Sequence, residues 1–87
     1  MNAATQQPAD ERLAEIRDLA AELFDADPAA VESARSFVDD LEADSLLAIE
    51  MVTQLEKRYG VLISEEAIPR MVNLKATFEV VAEIAGW

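Results

Sequence analysis

Apolar residues recur at helical spacing in three stretches of the chain. The first runs from Asp10 to about Phe24, where Leu13, Ile16, Ala20, Leu23 and Phe24 fall on one face. Asp10 and Glu11 stand in its first turn, where negative charge suits the helix dipole. Asp25-Ala26-Asp27-Pro28 ends it, because the residue before a proline is pushed out of helical conformation. The second and strongest stretch is Ser45 to Tyr59: Ala48, Met51, Val52, Leu55 and Tyr59 share one side, with Ile49 at its edge. Glu50, Thr53, Gln54, Lys57 and Arg58 share the other side. Asp44 stands where a side chain can cap the first turn, and Gly60 is a natural stop. Lys57 and Arg58 lie in the last turn, as the dipole prefers. The third stretch runs from Leu74 to about Ala85 behind the cap residue Asn73, with Leu74, Phe78, Val81 and Ile84/Ala85 on one face.

The remaining segments join these helices. Residues 1–9 are polar, contain Pro8 and read as a short disordered lead-in to a domain over residues 10–87. Pro28 to Ala43 is a connection of sixteen residues, with room for one helical turn near Pro28 to Glu32. Val31, Phe37, Val38 and Leu41 are spaced as anchors that pin it to a core. Val61-Leu62-Ile63 reads as a loop dropped into the core, and Ser64-Glu65-Glu66 opens a short helical segment that Pro69 keeps irregular. Trp87 is either a lid on the core edge or a loose end. The expected fold is all-α: a small four-helix bundle of three main helices and one short one, with a long loop between helices 1 and 2. Leu46 and Leu47 do not follow the pattern. They project towards the polar side, Leu47 the more so, and are either covered by the preceding loop or exposed to a partner; exposure is the expectation for Leu47.

Composition narrows what such a bundle does. The chain has 87 residues and is 52% hydrophobic, enough for one small core. Its stability should be modest, on the order of 5 kcal/mol or somewhat more. No run approaches the ~18 apolar residues of a membrane span. No basic-then-apolar leader opens the chain, so a cytoplasmic protein without membrane attachment is expected. There is neither cysteine nor histidine, which excludes disulfides, Cys/His metal sites and Ser-His-Asp catalysis within the chain. No catalytic residue and no metal site are therefore assigned. A net charge of −11 argues against nucleic acid, favours partners with basic patches and suits a monomer.

The acid is concentrated in one place. Between Arg35 and Lys57 there is no basic residue, while Asp39, Asp40, Glu42, Asp44, Glu50 and Glu56 are all acidic. Asp44-Ser45-Leu46 thus forms an acidic approach that delivers a serine to the start of a helix. There the hydroxyl adjoins unpaired backbone N–H groups and the positive end of the dipole, a suitable place for an esterified phosphate. Asp44 and Glu42 would hold the attached group away from the surface. The chain has no base to activate Ser45, so another enzyme must make the attachment.

Asp44-Ser45-Leu46, its acidic approach Phe37-Val38-Asp39-Asp40-Leu41 and the helix that follows resemble the acyl carrier protein family over nearly the whole chain. The resemblance implies that Ser45 carries 4′-phosphopantetheine, flanked by the motif positions Asp44 and Leu46. A phosphopantetheinyl transferase would add the arm from coenzyme A, and its thiol would hold acyl groups as thioesters. The implied further partners are an acyltransferase or acyl-loading ligase, and a ketosynthase or other acyl-processing enzyme. They would be met by a face of Leu46, Leu47, Ile49, Glu50, Thr53, Glu56 and Lys57.

Three positions depart from the family pattern. Glu42 stands where glycine is common, and Leu47 and Lys57 stand where fatty-acid members usually carry acids. Fewer acids and more apolar surface suggest a discrete carrier of polyketide-type biosynthesis rather than a fatty-acid or aminoacyl/peptidyl carrier. Two other readings compete. A calcium loop starting at Asp39 puts Leu41 and Ala43 at ligand positions, and one starting at Asp40 ends on Met51, so both registers fail. A non-covalent helical interaction module would use Leu46 and Leu47 as a patch and be indifferent to loss of the Ser45 hydroxyl.

Overall fold

The structure, a computed structural model, describes the chain from Pro8 to Trp87. Five α-helices and a short 3-10 turn follow in order: α1 Pro8–Phe24, α2 Pro28–Ser33, α3 Phe37–Leu41, α4 Ser45–Tyr59, the turn Ile68–Arg70, and α5 Leu74–Ala85. The described residues contain no strand. The lead-in expected over residues 1–9 lies outside the described residues as far as residue 7; Pro8 and Ala9 already belong to α1. The bundle is all-α with three long helices, and α1 packs against α2, α4 and α5.

The core is assembled from one stripe of each helix. Ile16, Ala20, Ala21 and Phe24 come from α1, Met51, Val52 and Leu55 from α4, and Leu74, Val80 and Val81 from α5. Phe24 and Phe37 lie with ring centroids 5.0 Å apart, a tilted pair that ties α1 to α3. Trp87 is the lid of the two alternatives. Its ring meets Tyr59 edge-on at 4.9 Å and Phe78 at 5.7 Å, and the Arg12 guanidinium lies 4.3 Å from the ring centroid. The Tyr59 hydroxyl donates to Glu15 Oε1 at 2.7 Å, joining α4 to α1 at the same end.

The connection between α1 and α4 is more regular than expected. It contains two short helices, because sixteen residues lying on a core must still satisfy their backbone groups. Pro28 opens α2 at its first position, and Val31 anchors it fully buried. Ser36 caps α3 by accepting from the Asp39 N–H at 3.3 Å. The Asp40 carboxylate reaches back to accept from the Arg35 and Ser36 N–H groups at 2.7 and 3.3 Å. Two bonds tie this segment to the chain before α5: Phe37 N–H donates to the Val72 carbonyl at 2.7 Å, and Asn73 Nδ2 to the Arg35 carbonyl at 3.2 Å.

Val61 and Ile63 enter the core, but Leu62 between them is 84% exposed, so that stretch alternates as an extended segment does. After it, Ser64 accepts from Ala67 N–H and the chain passes into the 3-10 turn holding Pro69. The buried side of α5 is Leu74, Thr77, Val80 and Val81; Phe78 and Ala85 sit at its edge, and Ile84 is exposed.

Candidate functional site

Ser45 is the first residue of α4 and is exposed. Its position is fixed from both sides. Upstream, α3 ends on Glu42, whose left-handed backbone (φ 56°, ψ 32°) turns the chain while its N–H still donates to the Phe37 carbonyl. Ala43 then drops into the core and anchors the approach. On the other side, the residues after Ser45 are held by Asp44, which caps α4: its Oδ1 accepts from the Leu47 N–H at 2.9 Å, and its carbonyl accepts from the Ala48 N–H at 3.1 Å. The Ser45 hydroxyl makes no hydrogen bond to protein among the described residues.

This arrangement fits an esterified phosphate. The hydroxyl projects from the first turn of a fifteen-residue helix, where the N–H groups of Ser45 and Leu46 have no intrahelical partner. Asp39, Glu42 and Asp44 are exposed around it, and their charge opposes collapse of an anionic group onto the surface. The chain has no histidine, the commonest base at neutral pH, to activate the hydroxyl. The site presents an oxygen for modification.

Five of the seven residues expected on a partner face form one exposed stripe along α4: Leu46, Ile49, Glu50, Thr53 and Lys57. Their spacings of three and four residues place them one above another. Leu46 and Ile49 are 74% and 57% exposed, an apolar pair next to the serine. Glu50 accepts from Gln54 Nε2 at 3.1 Å, and Thr53 bonds back to the Ile49 carbonyl at 3.0 Å.

Leu47 and Glu56 depart from the stripe. Leu47 packs against the core instead of standing exposed, because it lies one turn before buried Met51 on the same line of the helix. Glu56 is half-buried, and its Oε2 accepts from the Ile63 N–H at 2.9 Å, holding the 61–63 segment against α4. Among the described residues no group of three or more acidic side chains is arranged to hold a metal ion. No described helix is long and apolar enough to cross a membrane.

A cavity of about 170 Å³ lies between α3, α4, the 3-10 turn and α5, walled chiefly by Phe37, Met51, Val52, Ile68, Met71 and Thr77. Ala43 and Ala48, two residues before Ser45 and three after it, also line it. Sequence reasoning passed over Thr77; it placed Asp40 among the acids and Asn73 as the cap of α5, but not their bonds to Arg35 and Ser36. Thr77 carried a usable signal, since it stands three residues after Leu74 and four before Val81 on the buried side of α5.

A family model described as "Phosphopantetheine attachment site" matches residues 14–86. The chain is 36% identical over 72 residues to "Polyketide-8 synthase acyl carrier protein 2" of Streptomyces avermitilis, covering 83% of each chain. It is 38% identical over 82 residues to the "Meromycolate extension acyl carrier protein" of Mycolicibacterium smegmatis, covering 94% of this chain and 77% of that one. In the solved structure described as "The ishigamide ketosynthase/chain length factor", one chain superposes with a TM-score of 0.74 at 40% identity. That match covers 93% of this chain and 100% of the other.

Proposed function

The chain belongs to the phosphopantetheine-attachment family of acyl carrier proteins, and from that premise we propose that Ser45 bears its arm in polyketide-type biosynthesis. The observation that carries the assignment of the residue is the exposed Ser45 hydroxyl at the first position of α4, inside the matched span and directly after the capping Asp44. The protein is a carrier and not an enzyme. The bound 4′-phosphopantetheine supplies a thiol for thioester linkage to acyl chains, which a chain without cysteine cannot supply itself. The protein's own residues do the rest. Asp44 and Glu42 fix where the serine stands, the surrounding acids keep the arm off the surface, and Leu46, Ile49, Glu50, Thr53 and Lys57 offer a contact face beside it.

That face reads as a recognition surface for the enzyme that adds the arm, for an acyl-loading enzyme and for a ketosynthase-type enzyme. The likeness to a chain in a ketosynthase/chain length factor structure supports the last of these. Leu47 is partly buried against the core, so the polyketide reading rests on the Streptomyces relative and on exposed Lys57 rather than on Leu47. The 38% identity to a meromycolate extension carrier favours a second reading, elongation of fatty-acid type. We infer a cytoplasmic location from the need for coenzyme A in the attachment.

Intact mass before and after incubation with coenzyme A, magnesium and a broad-specificity phosphopantetheinyl transferase tests the assignment. One phosphopantetheine should be gained by the wild type and none by Ser45→Ala. Folded, unmodified wild type that gains nothing would return the protein to a non-covalent interaction role. Extension of the loaded protein by a fatty-acid ketosynthase at the rate of that enzyme's own carrier would favour the second reading over the first.

A further inference from the structure

The cavity beside α4 has one feature that a purely apolar guest does not explain. Its walls are nearly all hydrocarbon, yet Thr77 in α5 forms part of them. Thr77 is 0% exposed, and its Oγ1 is the one buried side-chain oxygen or nitrogen without a hydrogen-bond partner among the described residues. A helical threonine ordinarily bonds back to the carbonyl four residues earlier, as Thr53 does to Ile49. The Asn73 carbonyl accepts from the Thr77 backbone N–H at 2.9 Å, but the Thr77 hydroxyl does not share it. A buried hydroxyl left unpaired destabilises the fold, while valine in its place would keep the shape without that loss. The other hydroxyl in the lining, that of Ser36, is on a partly exposed residue and its oxygen accepts from the Asp39 N–H in capping α3.

We propose that Thr77 is a specificity-determining residue that makes this cavity prefer an acyl chain carrying a carbonyl oxygen over a saturated chain of the same length. The proposal rests on the carrier reading, since the guest is the acyl end of the arm on Ser45. Three observations fix the class of guest. The volume of about 170 Å³ is close to that of cavities that hold a six-carbon ring, so it takes about six carbons. The hydrocarbon walls exclude a charged chain. The Thr77 hydroxyl can donate to a carbonyl oxygen, a group that a saturated chain lacks. Ala43 and Ala48 bring the lining to both sides of the serine in sequence.

The test uses the whole protein. Coenzyme A analogues ending in hexanoyl, 3-oxohexanoyl or 5-oxohexanoyl groups, joined through a stable amide, are installed on Ser45 by the transferase, and intact mass confirms attachment. Amide and methyl NMR shifts at Met51, Val52, Ile68 and residue 77 then give the ratio of buried to free chain. In the wild type at least one oxo chain should be buried about two- to tenfold more favourably than hexanoyl, the worth of one hydrogen bond. Thr77→Val should abolish that preference while burying hexanoyl as well as the wild type does, and Thr77→Ser should retain it. Attachment followed by equal burial of all three chains, by no burial, or by a preference that survives in Thr77→Val would overturn the proposal and leave the carrier reading standing. Failure of attachment itself would overturn both.

Discussion

Replacing Glu42 by glycine should stabilise this protein. Glu42 closes α3 with φ 56° and ψ 32°, a left-handed conformation in which a Cβ crowds the following carbonyl. The penalty for a residue other than glycine is roughly 1–2 kcal/mol. Asp25 shares the positive φ, at 54°, but its short polar side chain tolerates the region better. The Glu42 side chain is exposed and makes no hydrogen bond among the described residues, so its removal forfeits no packing. The Glu42 N–H bond to the Phe37 carbonyl belongs to the backbone and survives. Against the gain stands the greater freedom of glycine in the unfolded chain, about 0.4–1 kcal/mol. The net should be about 0.5–1 kcal/mol, which for a domain of this size raises Tm by roughly 2–8 °C. Glu42→Gln is the necessary control. It removes one of the charges behind the net −11 and keeps the Cβ, so it isolates the electrostatic part of any gain. Urea denaturation monitored by circular dichroism measures all three proteins. If glycine proves no more stable than glutamine, the left-handed backbone is not a source of strain and the reasoning fails.

Asp44→Ala should cost about 1 kcal/mol in the same urea assay, because the Leu47 N–H loses its cap, and Asp44→Asn should recover most of it. Leu55→Ala should cost about 2–5 kcal/mol and bring the domain close to unfolding, whereas Leu62→Ala at an 84% exposed position should lie within about 0.5 kcal/mol of wild type. Burial and the bond to the Glu15 carboxylate raise the Tyr59 pKa above its ordinary value of 10. The folded state therefore holds this proton more tightly than the unfolded state. The contribution is complete below pH 10 and is lost as pH rises from there towards the folded pKa. Tyr59 is the only tyrosine, so absorbance at the tyrosinate band should show a titration displaced to higher pH that moves back on unfolding, and Tyr59→Phe should remove this alkaline loss of stability.

The three long helices were legible because their signals are local. Asp44 and Asn73 each cap the helix that follows through a side-chain oxygen, and Gly60 and Gly86 each end one in a left-handed conformation. Helix α3 was not legible for the opposite reason. It is five residues long, ends on glutamate where the pattern asks for glycine, and is held by bonds to Val72 and Asn73 far along the chain. Leu47 was misjudged although Met51, one turn later on the same line of the helix, was already on the apolar side: the buried stripe is wide enough to take in both. Glu56 was taken for a surface acid; its long side chain instead turns to a backbone N–H seven residues away, which no analysis of one helix face anticipates. The serine needed only its immediate neighbours to be found. The cavity needed four elements brought together, and Thr77 gains its interest only there.

The two bonds that join the α3 segment to the chain before α5 act on the cavity as a latch acts on a pair of doors. Phe37 and Val72 both line the cavity, and the 2.7 Å bond between them, backed by Asn73 on the Arg35 carbonyl, holds the α3 segment to the chain before α5. On the proposal above, a guest larger than about 170 Å³ should have to break this bond, so that capacity would rise in a step and not smoothly with chain length. Hydrogen exchange at the single Phe37 amide then becomes a gauge of cargo size: slow while the walls are closed, and abruptly faster once a chain forces them apart.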